Sequence, residues 1–114
     1  MEGEEKMVLL RAIIRPEKVK EVLDALLKAG HSSVTKMEVY GRGKQKGIQI
    51  GDVFYDEIPK EMLLMILDDG EKEEVMSIIM EHARTGENGN SGDGRIFISP
   101  VDEAYTISTE SKGL

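Results

Sequence analysis

The chain contains two successive segments in which an apolar strand-like run precedes an amphipathic helical run and a second strand-like run. Residues Met7–Ile14 (MVLLRAII) are short, apolar and rich in β-branched side chains, as in a central strand. Pro16 ends this run and suits the first turn of a helix, and the apolar positions that follow recur at helical spacing up to Gly30. A second strand is predicted at residues 34–40.

The second half repeats this order. Residues 62–67 (MLLMIL) predict a strand, residues 71–84 an amphipathic helix, and residues 95–99 a strand that Pro100 ends. Residues 105–109 predict a short fifth strand. Two β-α-β units in succession predict the α+β, ferredoxin-like double βαβ fold, with an antiparallel sheet and both helices on one face.

The other face of such a sheet has no helices to cover it. Residues 62–67 are apolar on both sides of the predicted strand, so part of the uncovered face is apolar. An exposed apolar sheet face predicts an oligomer in which sheets stack on each other. The length of 114 residues fits a single domain, residues 1–114.

Composition narrows the function classes. The formal net charge of −7 argues against binding to nucleic acid or to an anionic membrane surface, which require clustered Lys and Arg. The absence of cysteine excludes disulfides, iron–sulfur clusters and thiol nucleophiles. No signal-like run and no stretch of 18 apolar residues are present, so we expect a cytoplasmic protein without membrane insertion.

Two glycine-rich stretches could carry ligand chemistry. Residues 41–47 (GRGKQKG) combine three glycines with three cations, and residues 86–95 (GENGNSGDGR) combine four glycines with an arginine. Glycines allow a backbone to approach a ligand closely, and the cations suit a phosphate or carboxylate. Solvated surface loops remain the alternative for both stretches. The two histidines, His31 and His82, have no metal-ligand spacing and are expected to be packed or surface residues.

Five motifs, in order along the chain, resemble those of PII signal-transduction proteins. They are residues 12–16 (AIIRP), 43–47 (GKQKG), 58–60 (IPK), 83–86 (ARTG) and 92–97 (GDGRIF). The resemblance implies a homotrimer of ferredoxin-like subunits that binds ATP or ADP in each intersubunit cleft. It also implies that the protein regulates a target by contact and is not an enzyme.

In the terms of this family, residues 42–59 form the T-loop, residues 85–95 form the B-loop, and residues 106–114 form a loose tail. The resemblance assigns the adenosine side of the cleft to Ile13, Thr35, Gly41 and Gly43. It assigns the phosphates to Lys44, Gly92, Asp93, Gly94 and Arg95. It assigns the carboxylates of 2-oxoglutarate to Lys46, Gly47 and Lys60. It assigns Gln45 to the Mg²⁺ that bridges the nucleotide to 2-oxoglutarate.

Three features depart from the family pattern. The T-loop is short and lacks the usual modified tyrosine, so control by nucleotidylation is not expected. The B-loop has extra residues at 87–91, and Thr106 and Ser108 replace two phosphate-binding arginines. The short T-loop resembles the subclass encoded with nitrogenase in methanogenic archaea. That subclass, with a paralogous PII partner, inhibits the dinitrogenase component until 2-oxoglutarate relieves the inhibition.

Other functions remain open at the level of sequence. Within the PII resemblance, the target could be an ammonium channel or glutamine synthetase, although the short T-loop argues against the channel. A non-PII ferredoxin-like domain that binds a small molecule is a second alternative. Slow ATP hydrolysis is a third, although no general base is indicated by residue spacing.

Overall fold

The computed structural model describes residues 6–42, 48–50, 53–55 and 57–113. The strands are, in chain order, β1 (Met7–Ile14), β2 (Thr35–Arg42), β3 (Ile48–Ile50), β4 (Val53–Tyr55), β5 (Glu57–Asp68), β6 (Gly94–Val101), β7 (Tyr105–Thr106) and β8 (Ser111–Lys112). The helices are α1 (Val19–Lys28) and α2 (Lys72–Ala83), each preceded by a short 3-10 turn. The strand–helix–strand order predicted from the sequence is confirmed.

The main sheet has the strand order β2-β5-β1-β6, and all neighbours are antiparallel. This arrangement is the predicted ferredoxin-like sheet. Ile14, the last residue of β1, lies opposite Gly94 of β6 and Glu61 of β5. Gly41, near the end of β2, lies opposite Ile58 of β5. The ends of β1 and β2 therefore meet the beginnings of β5 and β6 at one end of the sheet.

The hydrophobic core lies between the sheet and the two helices. Alternate residues of β1 and β5 point into it, and Val75, Ile79 and Ala83 of α2 are buried against them. Ile78 of α2 is partly buried beside these three residues. The buried core residues are Val8, Leu10, Ala12, Ile14, Val19, Val22, Leu26, Leu63, Met65, Leu67, Val75, Ile79 and Ala83.

Helix α1 ends at the predicted glycine. Gly30 has a φ of 91°, and its N–H donates to the carbonyl of Leu27 at 3.0 Å. The N–H of His31 donates to the carbonyl of Leu26 at 2.8 Å. These two bonds form a Schellman motif, which satisfies the last helix carbonyls and turns the chain toward β2.

Two strands are longer than expected because proline is tolerated where a strand has a neighbour on one side only. β6 continues through Pro100, since β6 is an edge strand and the missing N–H of proline can face outward. β5 begins before Pro59, and β1 ends opposite Glu61, so Pro59 has only Tyr40 of β2 across from it. The expectation that Pro100 ends the fourth strand was wrong for this reason.

The loop regions also contain more structure than the sequence pattern indicated. Within the T-loop, β3 pairs with β4, from Ile48 opposite Tyr55 to Ile50 opposite Val53. At the C-terminus, the residues expected to form a loose tail instead include the β7–β8 hairpin. The N–H of Gly113 donates to the carbonyl of Ala104 at 2.8 Å and closes this hairpin. Both hairpins are formed by backbone hydrogen bonds between strands of two or three residues. Strands this short show no hydrophobic periodicity, so the sequence pattern did not indicate them.

The sheet face opposite the helices carries exposed apolar side chains. Met37 on β2 is 43% exposed, Ile66 on β5 is 39% exposed and Phe97 on β6 is 47% exposed. We call this surface the open face, and we define it by these three residues. A bilayer-spanning helix is absent from the described part of the chain, in which the longer helix has 12 residues.

Candidate ligand-binding groove

A groove of about 420 Å³ lies at the end of the sheet where β1 and β2 end and β5 and β6 begin. Its size falls in the range of small-molecule sites. Backbone and apolar surfaces line one part, and cationic side chains line the rest. The lining residues are Ile13, Gly41, Arg42, Ile58, Lys60, Ser91, Gly92, Gly94, Arg95 and Phe97.

The groove is cationic although the whole chain is acidic. Arg42, Lys60 and Arg95 line it, and in the described part of the chain no Asp or Glu is among its lining residues. The ammonium group of Lys60 donates a hydrogen bond to the carbonyl of Gly92. Partial burial, followed by the charge of nearby Arg15, lowers the pKa of Lys60. A cation that is both desolvated and close to a like charge gains strongly from an arriving anion.

The B-loop is held together by the carboxylate of Asp93. This carboxylate accepts hydrogen bonds from the N–H of Thr85 at 3.0 Å, the hydroxyl of Thr85 at 2.6 Å and the N–H of Asn90 at 2.8 Å. Nε of Arg15 donates to the same group at 3.0 Å. Burial alone would raise the pKa of Asp93, but these hydrogen bonds outweigh burial and hold the pKa well below its usual value.

Asn90, one of the extra B-loop residues, closes the loop on itself. Its side-chain amide donates to the carbonyl of Thr85 at 3.1 Å and to the hydroxyl of Thr85 at 2.9 Å. The N–H of Asp93 donates to the carbonyl of Asn90 at 3.1 Å. Asn90, although it is one of the extra residues, is therefore bonded into the loop.

Gly94 brings the B-loop into close contact with β1. Its φ is 121°, and a Cβ atom added to it would lie 1.8 Å from the carbonyl oxygen of Ile13. Gly92, two residues earlier, has a φ of 97°. Gly92 and Gly94 are thus required by the backbone path that forms one wall of the groove.

The structure brings together many of the site residues expected from the sequence. Those that line the groove are Ile13, Gly41, Lys60, Gly92, Gly94 and Arg95. Asp93 lies in the same loop, but its carboxylate is bonded within the loop. Thr35 lies six residues before Gly41 on β2, about 20 Å along the strand, so the single chain does not place it in the groove. Gly43, Lys44, Gln45, Lys46 and Gly47 lie outside the described residues, so their expected roles stay predictions.

Two residues at the groove or its B-loop wall were not among the site residues expected from the sequence. Arg15 was noted only as part of a motif, yet it joins β1 to the B-loop through Asp93 and through the carbonyl of Ser91 at 3.1 Å. Phe97 forms an apolar part of the groove. The predicted topology contained a signal for Arg15, because the end of the first strand lies beside the beginning of the last strand in a ferredoxin-like sheet.

The two histidines join the helices rather than form a metal site. Nδ1 of His82 on α2 lies 2.8 Å from the carboxylate of Glu21 on α1, and Nε2 of His31 lies 2.5 Å from the carboxylate of Glu74 on α2. Among the described residues, no group of three or more His, Cys, Asp or Glu side chains could hold a metal ion.

The fold and the groove define a ferredoxin-like α+β protein whose sheet carries, at one end, a cationic glycine-lined groove suited to an anion. The family described as "Nitrogen regulatory protein P-II" matches residues 7–111. The chain belongs to this family, and the resemblance to PII proteins is confirmed.

The curated relatives include proteins named for nitrogen fixation in methanogens. The chain is 57% identical over 108 residues to "Nitrogen fixation nifHD region GlnB-like protein 1" of Methanobacterium ivanovii, covering 95% of this chain and 100% of that protein. It is 52% identical, with the same coverage, to the protein of that name from Methanococcus maripaludis. These similarities support the predicted nitrogenase-associated archaeal subclass.

A solved structure agrees with the fold. The PII protein of Arabidopsis thaliana bound to citrate superposes with a TM-score of 0.76 and 31% sequence identity, covering 99% of this chain and 91% of that chain. The similarity extends over nearly the whole of both chains.

Proposed function

We propose that this chain is a sensor of ATP or ADP and of 2-oxoglutarate that regulates a nitrogenase component by direct contact, without chemistry of its own. The observation that carries the proposal is the cationic groove, where Lys60 and Arg95 meet the backbone of Gly92 and Gly94. The nifHD-region names of the relatives support nitrogenase as the target. Citrate, bound by the Arabidopsis PII protein, is a small polycarboxylate like 2-oxoglutarate.

The groove suits the proposed ligands in its charge and in the mixture of apolar and polar groups that line it. Ile13 and Phe97 offer apolar surface for a base, while Arg95 and the glycine backbone offer donors for phosphates. Lys60, at the base of the T-loop, is the cation that we expect to receive a carboxylate. A bound Mg²⁺ would reduce the repulsion between phosphates and a neighbouring carboxylate, and Gln45 is the residue expected to hold it.

Thr106, which stands where the family has an arginine, is not among the described residues that line the groove. Its hydroxyl donates to the carbonyl of Gly113 at 2.9 Å within the C-terminal hairpin. The groove itself contains three cations that could compensate for the missing family arginines, namely Arg42, Lys60 and Arg95. We therefore expect nucleotide binding to depend more on these side chains than on the C-terminal segment.

A homotrimer completes the proposal. The open face exposes Met37, Ile66 and Phe97, and burying them against other subunits would remove apolar surface from water. Assembly would also allow a second subunit to contribute Thr35 or other residues to the groove. A paralogous PII chain is a further possible partner, and formation of mixed trimers on co-expression would test it.

Calorimetry tests the ligand proposal. ATP should bind to the wild-type protein, and 2-oxoglutarate should bind well only when ATP and Mg²⁺ are present. Lys60→Ala should weaken 2-oxoglutarate binding by about tenfold or more, because it removes a partly buried cation from the ligand. Lys28→Ala, which changes an exposed lysine at the end of α1, is the matched control and should have no effect.

The target is tested separately with purified components. The protein should inhibit the dinitrogenase component, and 2-oxoglutarate should relieve the inhibition. Equal 2-oxoglutarate binding without ATP would refute the ligand coupling. Binding to an ammonium channel or to glutamine synthetase, with no effect on nitrogenase, would replace the proposed target.

A further inference from the structure

We propose that Asp93 is a positioning residue, which holds the B-loop in the shape that presents Gly92, Gly94 and Arg95 to an anionic ligand without itself contacting the ligand. The inference deepens the proposed function and rests on it. It differs from the role that the family resemblance implies, in which Asp93 is one of the residues that hold the phosphates.

The hydrogen bonds of Asp93 leave no room for a ligand. An ionised carboxylate has about four lone-pair sites. Oδ1 accepts from Nε of Arg15 and from the hydroxyl of Thr85, and Oδ2 accepts from the N–H groups of Thr85 and Asn90. All four sites are therefore used by the protein. A carboxylate turned toward phosphates would also repel them.

These bonds connect separate parts of the molecule. Arg15 follows β1, Thr85 is the first residue of the B-loop, and Asn90 lies in its middle, so Asp93 joins the end of one strand to both halves of the loop. We call Asp93, Arg15, Thr85 and Asn90 the loop brace. Removal of the Asp93 charge should therefore loosen the whole loop.

Two further hydrogen bonds, one from Arg15 and one from Lys60, fix the orientation of peptide groups in the groove wall. Nη2 of Arg15 donates to the carbonyl of Ser91, and Lys60 donates to the carbonyl of Gly92. The C=O of one residue and the N–H of the next point in opposite directions across a trans peptide. The Arg15 bond therefore fixes the direction of the Gly92 N–H, one of the backbone donors available to an anion.

This loop needs such a brace more than an ordinary turn does. Gly86, Gly89, Gly92 and Gly94 all have positive φ values, and glycine loses more conformational freedom on ordering than any other residue. If the loop were ordered only on ligand binding, the affinity would fall by that entropic cost. If Asp93 already holds the loop in shape, the conformational entropy of the loop is lost during folding and does not reduce the affinity for the ligand.

Whether Asp93→Asn weakens or strengthens ADP binding tests the proposal. Asp93→Asn keeps the side-chain size but replaces two acceptors by one and removes the charge, so we expect the loop to loosen and the dissociation constant for ADP to rise about tenfold. Glu87→Gln, in the same loop, also removes one negative charge, and Glu87 has no ion pair among the described residues. It should leave ADP affinity unchanged or slightly improved.

A different outcome would overturn the proposal. If Asp93 faces the phosphates, or only neutralises Arg15, then Asp93→Asn should strengthen ADP binding. Stronger or unchanged binding therefore contradicts a positioning role. The double variant Arg15→Gln/Asp93→Asn should bind ADP no more weakly than the weaker single variant, because both changes break the same brace.

Hydrogen exchange in the ligand-free protein tests the loop brace independently of the proposed function. In the ligand-free protein, Asn90→Ala and Asp93→Asn should each accelerate exchange at residues 85–94, while Asn88→Ala, an exposed residue in the same loop, should not. Exchange in β1 and α2 should stay at the wild-type rate. If the wild-type protein binds neither ATP nor ADP, the proposed function fails, and the exchange result alone decides whether the brace exists. Unchanged exchange in both brace variants would refute it.

Discussion

At the scale of single residues, Gly94 and Asp93 act on the same loop in different ways. Gly94 allows the backbone to pass close to the carbonyl of Ile13, where a Cβ atom does not fit. Asp93 supplies hydrogen-bond acceptors that hold the loop after it has passed this point. The shape of the groove wall thus depends on the absence of one side chain and on the charge of its neighbour.

Gly94→Ala should destabilise the protein by about 2 kcal/mol or more, because it combines a positive φ with a backbone clash. Urea denaturation measures the free energy of unfolding. Gly70→Ala is the matched control, since a Cβ atom at Gly70 would meet nothing within 4 Å. If Gly94→Ala lowers the free energy of unfolding no more than Gly70→Ala does, then β1 and the B-loop can move apart without loss of stability.

Asp93 should make stability depend on pH in the acid range. Its pKa is lower in the folded protein than in the unfolded chain, where it is about 3.9. The stabilisation is therefore complete above about pH 4 and is lost as the pH falls through the lower folded value. The difference in unfolding free energy between wild type and Asp93→Asn should shrink as the pH is lowered below about 4. A difference that does not change with pH would contradict the lowered pKa.

At the scale of elements, β1 is the centre of the structure. It pairs with both β5 and β6, it carries four core residues, and its end positions Arg15 for the loop brace. The buried face of β1 stabilises the fold, while its last residues form part of the groove. Mutations in the buried face of β1 should therefore lower stability, whereas mutations at its last residues should alter the groove.

Leu10→Ala should lower the free energy of unfolding by about 2–5 kcal/mol, because Leu10 is fully buried in the middle of β1 and its truncation leaves a cavity. Leu27→Ala, on α1, removes the same atoms from a side chain that is 61% exposed, and it should cost less than about 0.5 kcal/mol. Thermal or urea unfolding distinguishes the two. Equal losses would mean that the core does not lie between the sheet and the helices.

At the scale of the whole molecule, the open face is an apolar surface that no helix covers among the described residues. Its apolar side chains lie on three strands of one sheet, opposite the face that the helices cover. The candidate groove lies at the end of the same sheet. Assembly through the open face and ligand binding at the groove should therefore be linked.

Phe97→Asp should dissociate the assembly, because it places a charge on surface that the trimer would bury. Light scattering at micromolar concentration should give a trimer for the wild type and a smaller species for the variant. Leu27→Asp, on the helix side, is the control and should remain trimeric. A monomeric wild-type protein, or a trimeric Phe97→Asp variant, would rule out assembly through this face.

The sequence by itself determined the order of the elements, the end of α1 at Gly30, the amphipathic character of α2 and the family. These properties follow from local signals, namely hydrophobic periodicity, glycine and proline placement, and short motifs. The sequence also indicated that Lys60, Gly92, Gly94 and Arg95 belong to one site, through the family resemblance. That set could not be derived from spacing alone, because 32 positions separate Lys60 from Gly92.

Only the tertiary structure decided which side chains contact each other within the site. Arg15 and Asp93 are 78 positions apart, and they meet because β1 and β6 are antiparallel neighbours. The same pairing turns the Asp93 carboxylate toward Arg15 and Thr85 instead of toward a ligand. Likewise, Pro100 continues β6 because that strand is at the edge of the sheet. Such outcomes depend on which strands become neighbours, which is a property of the whole fold and not of any local segment.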